Sequence, residues 1–162
     1  YELPSSTKGL PPWVVERPVD PERFFGVGIA ANMIDPSLGL QIATGDAQVE
    51  LARAIETQVN NLILNYMEQA GIGARAQGQA FRSSASELTV SKSITYTAIL
   101  KTEVAPNNTM YVLASIPAEQ VAAAAVEAVN ESLDKDEAMY NEFKAKQGLK
   151  LLEEKIKQLK AN

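Results

Sequence analysis

The sequence predicts an α+β domain: a small antiparallel sheet of about three strands wrapped around a long central helix, with a helical extension at the C-terminus. Three observations lead there. Phe24 to Ala31 is apolar throughout, as a strand covered on both faces would be. From about Asp46 to Met67, apolar residues recur at steps of three or four, the period of one helix face. From Ser93 onward the pattern switches to alternation, the period of a strand.

A chain of 162 residues suits one domain with appendages and can bury a core without staples. We divide it into a proline-rich extended leader (1–22), an α+β domain (23–134) and a charged amphipathic C-terminal helix (135–162). Its 46% apolar and 22% charged residues are ordinary for a globular protein. The net charge of −5 argues against a nucleic-acid partner, whose phosphates call for a basic surface, and mildly against attachment to anionic lipid. There is no Cys and no His, which removes thiolate chemistry, disulfides and the commonest general base and metal ligand. No apolar run reaches the roughly 18 residues of a membrane-spanning helix. Because the chain starts at Tyr1 and not Met, we expect that upstream residues were removed.

The leader carries Pro4, Pro11, Pro12, Pro18 and Pro21, which favour extended or polyproline geometry. Trp13, the sole Trp, is either the anchor that docks the leader or an interface residue. In the strand that follows, Gly26 and Gly28 permit close backbone approach. Asp46 is the expected N-cap of the long helix, with Thr44 as the alternative. Its stripe is Ala47, Leu51, Ile55, Val59, Leu62 and Tyr66, and Gly71 and Gly73 supply the C-cap. Gln77 to Ser91 is polar and serine-rich, with Phe81, Ala85 and Leu88 spaced for a short helix. In Ser93 to Ala105, Ile94, Tyr96, Ala98, Leu100 and Val104 alternate with polar residues, predicting one buried and one wet face. Pro106-Asn107-Asn108 turns the chain into a second strand, Thr109 to Ile116. Pro117 suits the first turn of an alanine-rich helix. In the tail, Leu149, Leu152, Ile156 and Leu159 step by three and four and form a narrow seam. That seam docks either on its own domain or on a neighbouring subunit. With Trp13, these four are the candidate interface residues.

Several motifs fail on mechanism. Gly26 to Ala31 spells G-x-G-x-x-A, but Pro36 and the loop before it delay the helix whose N-terminus would meet a pyrophosphate. The same letters at Gly71 to Ala76 follow a helix and not a strand. The serines near Lys92 would need a desolvated lysine to make a hydrolase, and a polar stretch offers none. Asp134-Lys135-Asp136-Glu137 lacks the glycine and terminal glutamate of a calcium loop and is expected to be solvated helix surface. Two N-glycosylation triplets, at Asn107 and Asn130, carry no weight alone. We expect no enzyme, no catalytic residue, no metal and no cofactor.

The ordered segments Pro12-Trp13, Phe25 to Ala30, Ala47 to Ile55 and Met110 to Ala114 resemble the bacterial outer-membrane lipoprotein family typified by the twenty-kilodalton Helicobacter antigen (LPP-twenty type). The resemblance covers roughly residues 11–130. Asn65 to Gly73 resembles that family's flagellar basal-disk branch, FlgP. The resemblance implies a dodecin-like fold, export to the periplasm, and outer-membrane anchoring through an acylated Cys upstream of Tyr1. The flagellar branch further implies a homo-oligomeric ring or disk beside flagellar-motor proteins. The expected function is therefore a structural, self-assembling envelope lipoprotein serving motility. The alternative is a small-molecule binding module of the envelope, for example for a flavin, though aromatic residues make up only 6% of the chain.

Overall fold

The computed structural model describes residues 9–32, 34–73 and 76–161. The first eight residues assigned to the leader, with Pro4, lie outside this range, as do Ala74 and Arg75 of the second glycine motif and the last residue of the tail. The elements run α1 (Pro12–Val15), β1 (Arg23–Ala30), α2 (Pro36–Ala70), α3 (Ala76–Ser93), β2 (Ala98–Val104), β3 (Met110–Pro117), α4 (Ala118–Asp134), α5 (Glu137–Ala145) and α6 (Gly148–Lys157). The three strands form one antiparallel sheet in the order β1-β3-β2. The chain is thus α+β, with one long helix and a small open sheet.

Helix α2 begins ten residues before the expected cap at Asp46. Asp35 is extended, and its side chain accepts from the Ser37 amide at 2.9 Å, so it is the N-cap. Pro36 then occupies the first turn, where its missing N–H costs nothing. The proline that keeps Asp35 out of the helix is thus the residue that starts it. At the other end, Gly71 has φ +68. The Ile72 amide bonds back to the Met67 carbonyl at 2.9 Å and the Gly71 amide to that of Glu68 at 3.3 Å, a Schellman closure.

The buried row on α2 is Ala43, Ala47, Leu51, Ile55, Val59, Ile63 and Met67, with Tyr66 beside it. Ile63 replaces the expected Leu62, which is only partly buried. At 3.6 residues per turn, each step of four advances about 40° around the axis. The apolar row therefore winds, and different neighbours cover its two halves. The sheet lies on the first half. A Cβ on Gly28 would collide with the Ala43 carbonyl oxygen, and one on Gly26 with that of Ala47, so both glycines let β1 lie directly on the helix. The second half meets helices. Tyr66 stacks near Phe143 of α5 at 6.5 Å and donates a 2.8 Å hydrogen bond to the Gly148 carbonyl of α6. The sheet thus covers one end of the helix and does not wrap its length.

The serine-rich stretch forms the helix that the spacing of Phe81 and Ala85 allows, but a longer one: α3 runs 18 residues. Phe81, Ala85, Ser86 and Thr89 are buried, and the Phe81 ring lies 5.4 Å from that of Phe143. Polar composition concealed its full length because its buried side is made largely of small hydroxyl residues. Thr89 donates to the Ala85 carbonyl, and Ser84 and Ser132 share a hydrogen bond across to α4.

The strand expected from Ser93 starts only at Ala98, after α3 and a 3-10 turn over Ile94–Tyr96. None of its residues is buried, against the expected one-sided burial. In contrast, every residue of β3 except Pro117 is buried. The reason is position. β3 is central, β2 is an edge strand, and α2 runs beneath β1 and β3.

The leader is not wholly extended. Pro12 opens the single turn α1. Trp13 and Val14 pack with Val27, Tyr111 and Leu113 on the face of the sheet opposite α2. Beyond this turn, Arg17 forms a double hydrogen bond to the Glu50 carboxylate of α2. The tail is not one helix but two. Asp136 caps α5 by accepting from the Met139 amide, so the acidic run expected on a helix surface is a helix junction. Gln147, with φ +50, turns the chain between α5 and α6. Both helices contribute to the same core cluster as α2, α3 and α4.

Candidate functional site

The most unusual surface belongs to β2 and follows from the placement of α2. Register pairs Ile99 with Ala114, Thr102 with Val112 and Val104 with Met110. Those three β3 partners all face the main core. Ile99, Thr102 and Val104 therefore point to the same side as the core residues, yet past the edge of the helix that would cover them. Ile99 is 43% exposed and Val104 58%. A register shift between Ile99 and Lys101 places Leu100 in a bulge, where it is 45% exposed. Lys101 and Glu103 fall on the opposite face, across from Leu113 and Tyr111.

The two edges of the sheet differ. On β1, the Ile29 amide is capped at 3.0 Å by the Asp46 carboxylate from α2. The residue expected to cap the helix instead blunts a sheet edge. On β2, the bulge and Lys101 are the local features that discourage indiscriminate pairing. Among the described residues, no hydrogen bond outside the ladder with β3 involves β2.

A second exposed apolar surface lies on the first half of α2. Leu38, Ile42 and Val49 are each about half exposed. With Gly45 they step by four, three and four, and nothing lies within 4 Å of where a Gly45 side chain would start. This row is turned away from the buried row of Ala43 and Ala47. It also lies well round the helix from Gln48, which reaches the Thr97 hydroxyl on the β2 side.

The candidate interface residues fall elsewhere. Trp13 is 6% exposed within the patch beneath α1. Leu152, Ile156 and Leu159 are buried in the main core, and Leu149 packs partly against it. The structure thus brings the four seam residues together inside the chain and keeps them apart from Trp13. Sequence reasoning missed Ile99 and the Leu38–Val49 row. The signal for the second was available: Leu38, Ile42 and Val49 fall off the stripe defined by Ala43, Ala47 and Leu51. The signal for the first was hidden by the bulge, which shifts the parity of the alternation.

Charged groups serve as ties between elements. Lys92 at the end of α3 donates to Glu131 at 2.8 Å and lies 3.6 Å from Glu127, both on α4. Its hydrogen bond to Glu131 raises the lysine pKa, and the same bond lowers that of Glu131. A lysine held as an ammonium between two carboxylates is a poor base for any neighbouring serine. Burial pushes the Tyr66 phenol upward, so it stays a donor to Gly148. Among the described residues, no group of three or more acidic side chains is placed to hold a metal ion. No described helix is long and apolar enough to cross a membrane.

Comparisons of the chain with protein-family models, with curated proteins and with solved structures found no match. The resemblance to the envelope lipoproteins therefore rests on the ordered segments of the sequence alone.

Proposed function

We propose that the protein is a non-enzymatic structural component that self-assembles, with β2 as its principal assembly surface. The observation that carries this reading is an edge strand exposed at all seven positions, with three exposed aliphatic side chains. A monomer has no use for such an edge, because unpaired backbone groups beside apolar side chains invite another chain. Strand edges and helix grooves are two standard ways of adding a partner.

A ring or disk requires a heterologous contact that closes, so the surface used on one copy must meet a different surface on the next. The β2 overhang and the Leu38–Val49 row provide two such surfaces on well-separated sides of α2. In this reading the overhang of one copy seats on the helix row of its neighbour, and Gly45 allows close approach. The resemblance of the ordered segments supplies the context: a dodecin-like lipoprotein of the periplasm, held to the outer membrane by an upstream acyl group, in a disk around the flagellar motor.

The test is the mass of the protein by multi-angle light scattering, with negative-stain imaging, compared with Val104→Lys and Ile42→Lys. A large closed assembly in the parent that falls to monomer in either variant, with unchanged melting temperature, is the expected result. A parent that stays monomeric at high concentration, with its native N-terminus and lipid in place, would sink the assembly reading.

A further inference from the structure

We propose that the cleft where α4, α5 and α6 meet binds an amphiphilic anion, an acyl chain bearing a carboxylate or phosphate head. This rests on a different surface from the assembly reading and stands independently of it. The cleft has a volume of about 490 Å³, within the range of roughly 300–1,000 Å³ common for small-molecule sites. Its floor is apolar: Leu133 closes α4, Phe143 comes from α5 and Leu149 from α6. Leu133 and Phe143 are buried in the main core and back the floor, so the apolar surface open to a ligand comes from Leu149, Tyr140 and Leu151. Tyr140 and Leu151 stand at the mouth, about half exposed, and extend the apolar surface outward.

The rim has the opposite chemistry. Lys144, Lys146 and Lys150 line it, and no carboxylate does. In a chain of net charge −5, that is a local reversal of sign. Among the described residues, none of these lysines takes part in an ion pair, whereas Lys92 and Lys160 do. None of the acids on α5 and α6, Glu137 included, lines the cleft. Glu142 accepts from the Gly73 amide, Glu153 accepts from Asn130, and Glu154 is not among the lining residues. Gln147 sets the geometry. Its left-handed backbone, φ +50, ends α5 and starts α6 at an angle that places Lys146 and Lys150 on one mouth. Three solvated ammonium groups around an apolar floor match a ligand with one anionic end and a hydrocarbon body. Lysine stems can lie along that hydrocarbon while their heads stay in water.

The experiment is calorimetric titration of the full chain with sodium palmitate below its micellar concentration. Butyrate and dodecyl maltoside serve as controls for the head alone and the tail alone. Palmitate should bind, and both controls should bind at least tenfold more weakly. The triple variant K144Q/K146Q/K150Q should weaken palmitate at least tenfold, and Leu151→Asn severalfold, with thermal melts showing that both still fold. Lyso-phosphatidylglycerol in place of palmitate separates a phosphate head from a carboxylate, and preferential binding of either supports the site. No palmitate or lyso-phosphatidylglycerol binding, or binding that the triple variant leaves intact, overturns the proposal. So does a protein that sediments with phosphatidylglycerol–phosphatidylcholine vesicles through these lysines but takes up neither monomeric ligand, because the patch is then a membrane-facing surface and not a pocket.

Discussion

Gly28 has no room for a side chain, since the Ala43 carbonyl occupies the space a Cβ would take. Overpacking of a core typically costs about 1–3 kcal/mol, and a clash with helix backbone relaxes poorly. Gly28→Ala should therefore destabilise the protein by an amount at or above the top of that range, read as a lower urea midpoint. An unchanged midpoint would mean that β1 does not rest on α2 as described. The Lys92–Glu131 pair makes a pH-dependent contribution whose sign can be worked out. Glu131 is lowered, so its contribution is present above the unfolded carboxylate pKa and is lost as pH falls through its folded value. Lys92 is raised, so its contribution is present below the unfolded lysine pKa and is lost as pH rises through its folded value. Lys92→Met should then be less stable than the parent near neutrality, with the difference shrinking on acidification below about pH 4. Urea titrations across pH would read this, and a difference that does not depend on pH would contradict it. Both groups are solvated, so the effect is expected to be small.

At the scale of elements, the C-terminal helices bind the second half of α2. Leu152 on α6 is fully buried in the common core. Leu152→Ala should destabilise the protein by about 2–5 kcal/mol, the range for truncating a core leucine. Tyr66→Phe, which removes the phenol's hydrogen bond to the Gly148 carbonyl, should cost about 0.5–1.5 kcal/mol. Denaturant unfolding checks both, and a near-neutral Leu152→Ala would show that α6 detaches readily. Much of this layer was legible from spacing. The stripe of α2 and the glycine that ends it stood out, as did the strand at β1 and the seam of the tail. α3 was less legible, because its buried side uses Ser and Thr where a pattern search looks for aliphatic residues. The break at Gln147 was no more legible, although Gly148 directly follows it, because the seam of Leu149, Leu152, Ile156 and Leu159 suggested one continuous helix.

At the scale of the whole molecule, residues 135–161 complete the core that the preceding helices begin. Met139, Phe143, Leu152 and Ile156 share a cluster with Ile63, Tyr66, Met67 and Ile72. A chain ended at Asp134 should therefore unfold at a clearly lower denaturant concentration and bind a dye for exposed apolar surface. If it matched the full chain, the tail would be a separable appendage. Val104→Lys on the sheet edge should do the reverse. It should leave the melting temperature within about a degree of the parent, because an exposed side chain contributes little to the monomer, while reducing the mass in solution.

Local rules in the sequence were enough for most of the α2 stripe, the tail seam, the two close-approach glycines, the closure at Gly71 and the order of strand, helix and hairpin. Each depends on residues a few positions apart, and steric and hydrogen-bonding preferences act at that range. Tertiary structure alone decided which strand would be central and which left at the edge. An alternating strand looks the same whether or not a helix lies beneath it. It also decided that Asp46 caps a strand and not a helix, that the tail seam closes the chain's own core, and that three lysines of an acidic protein gather around one apolar cleft. Those outcomes depend on where α2 lies and how α5 and α6 fold back, and they join residues that the sequence holds far apart.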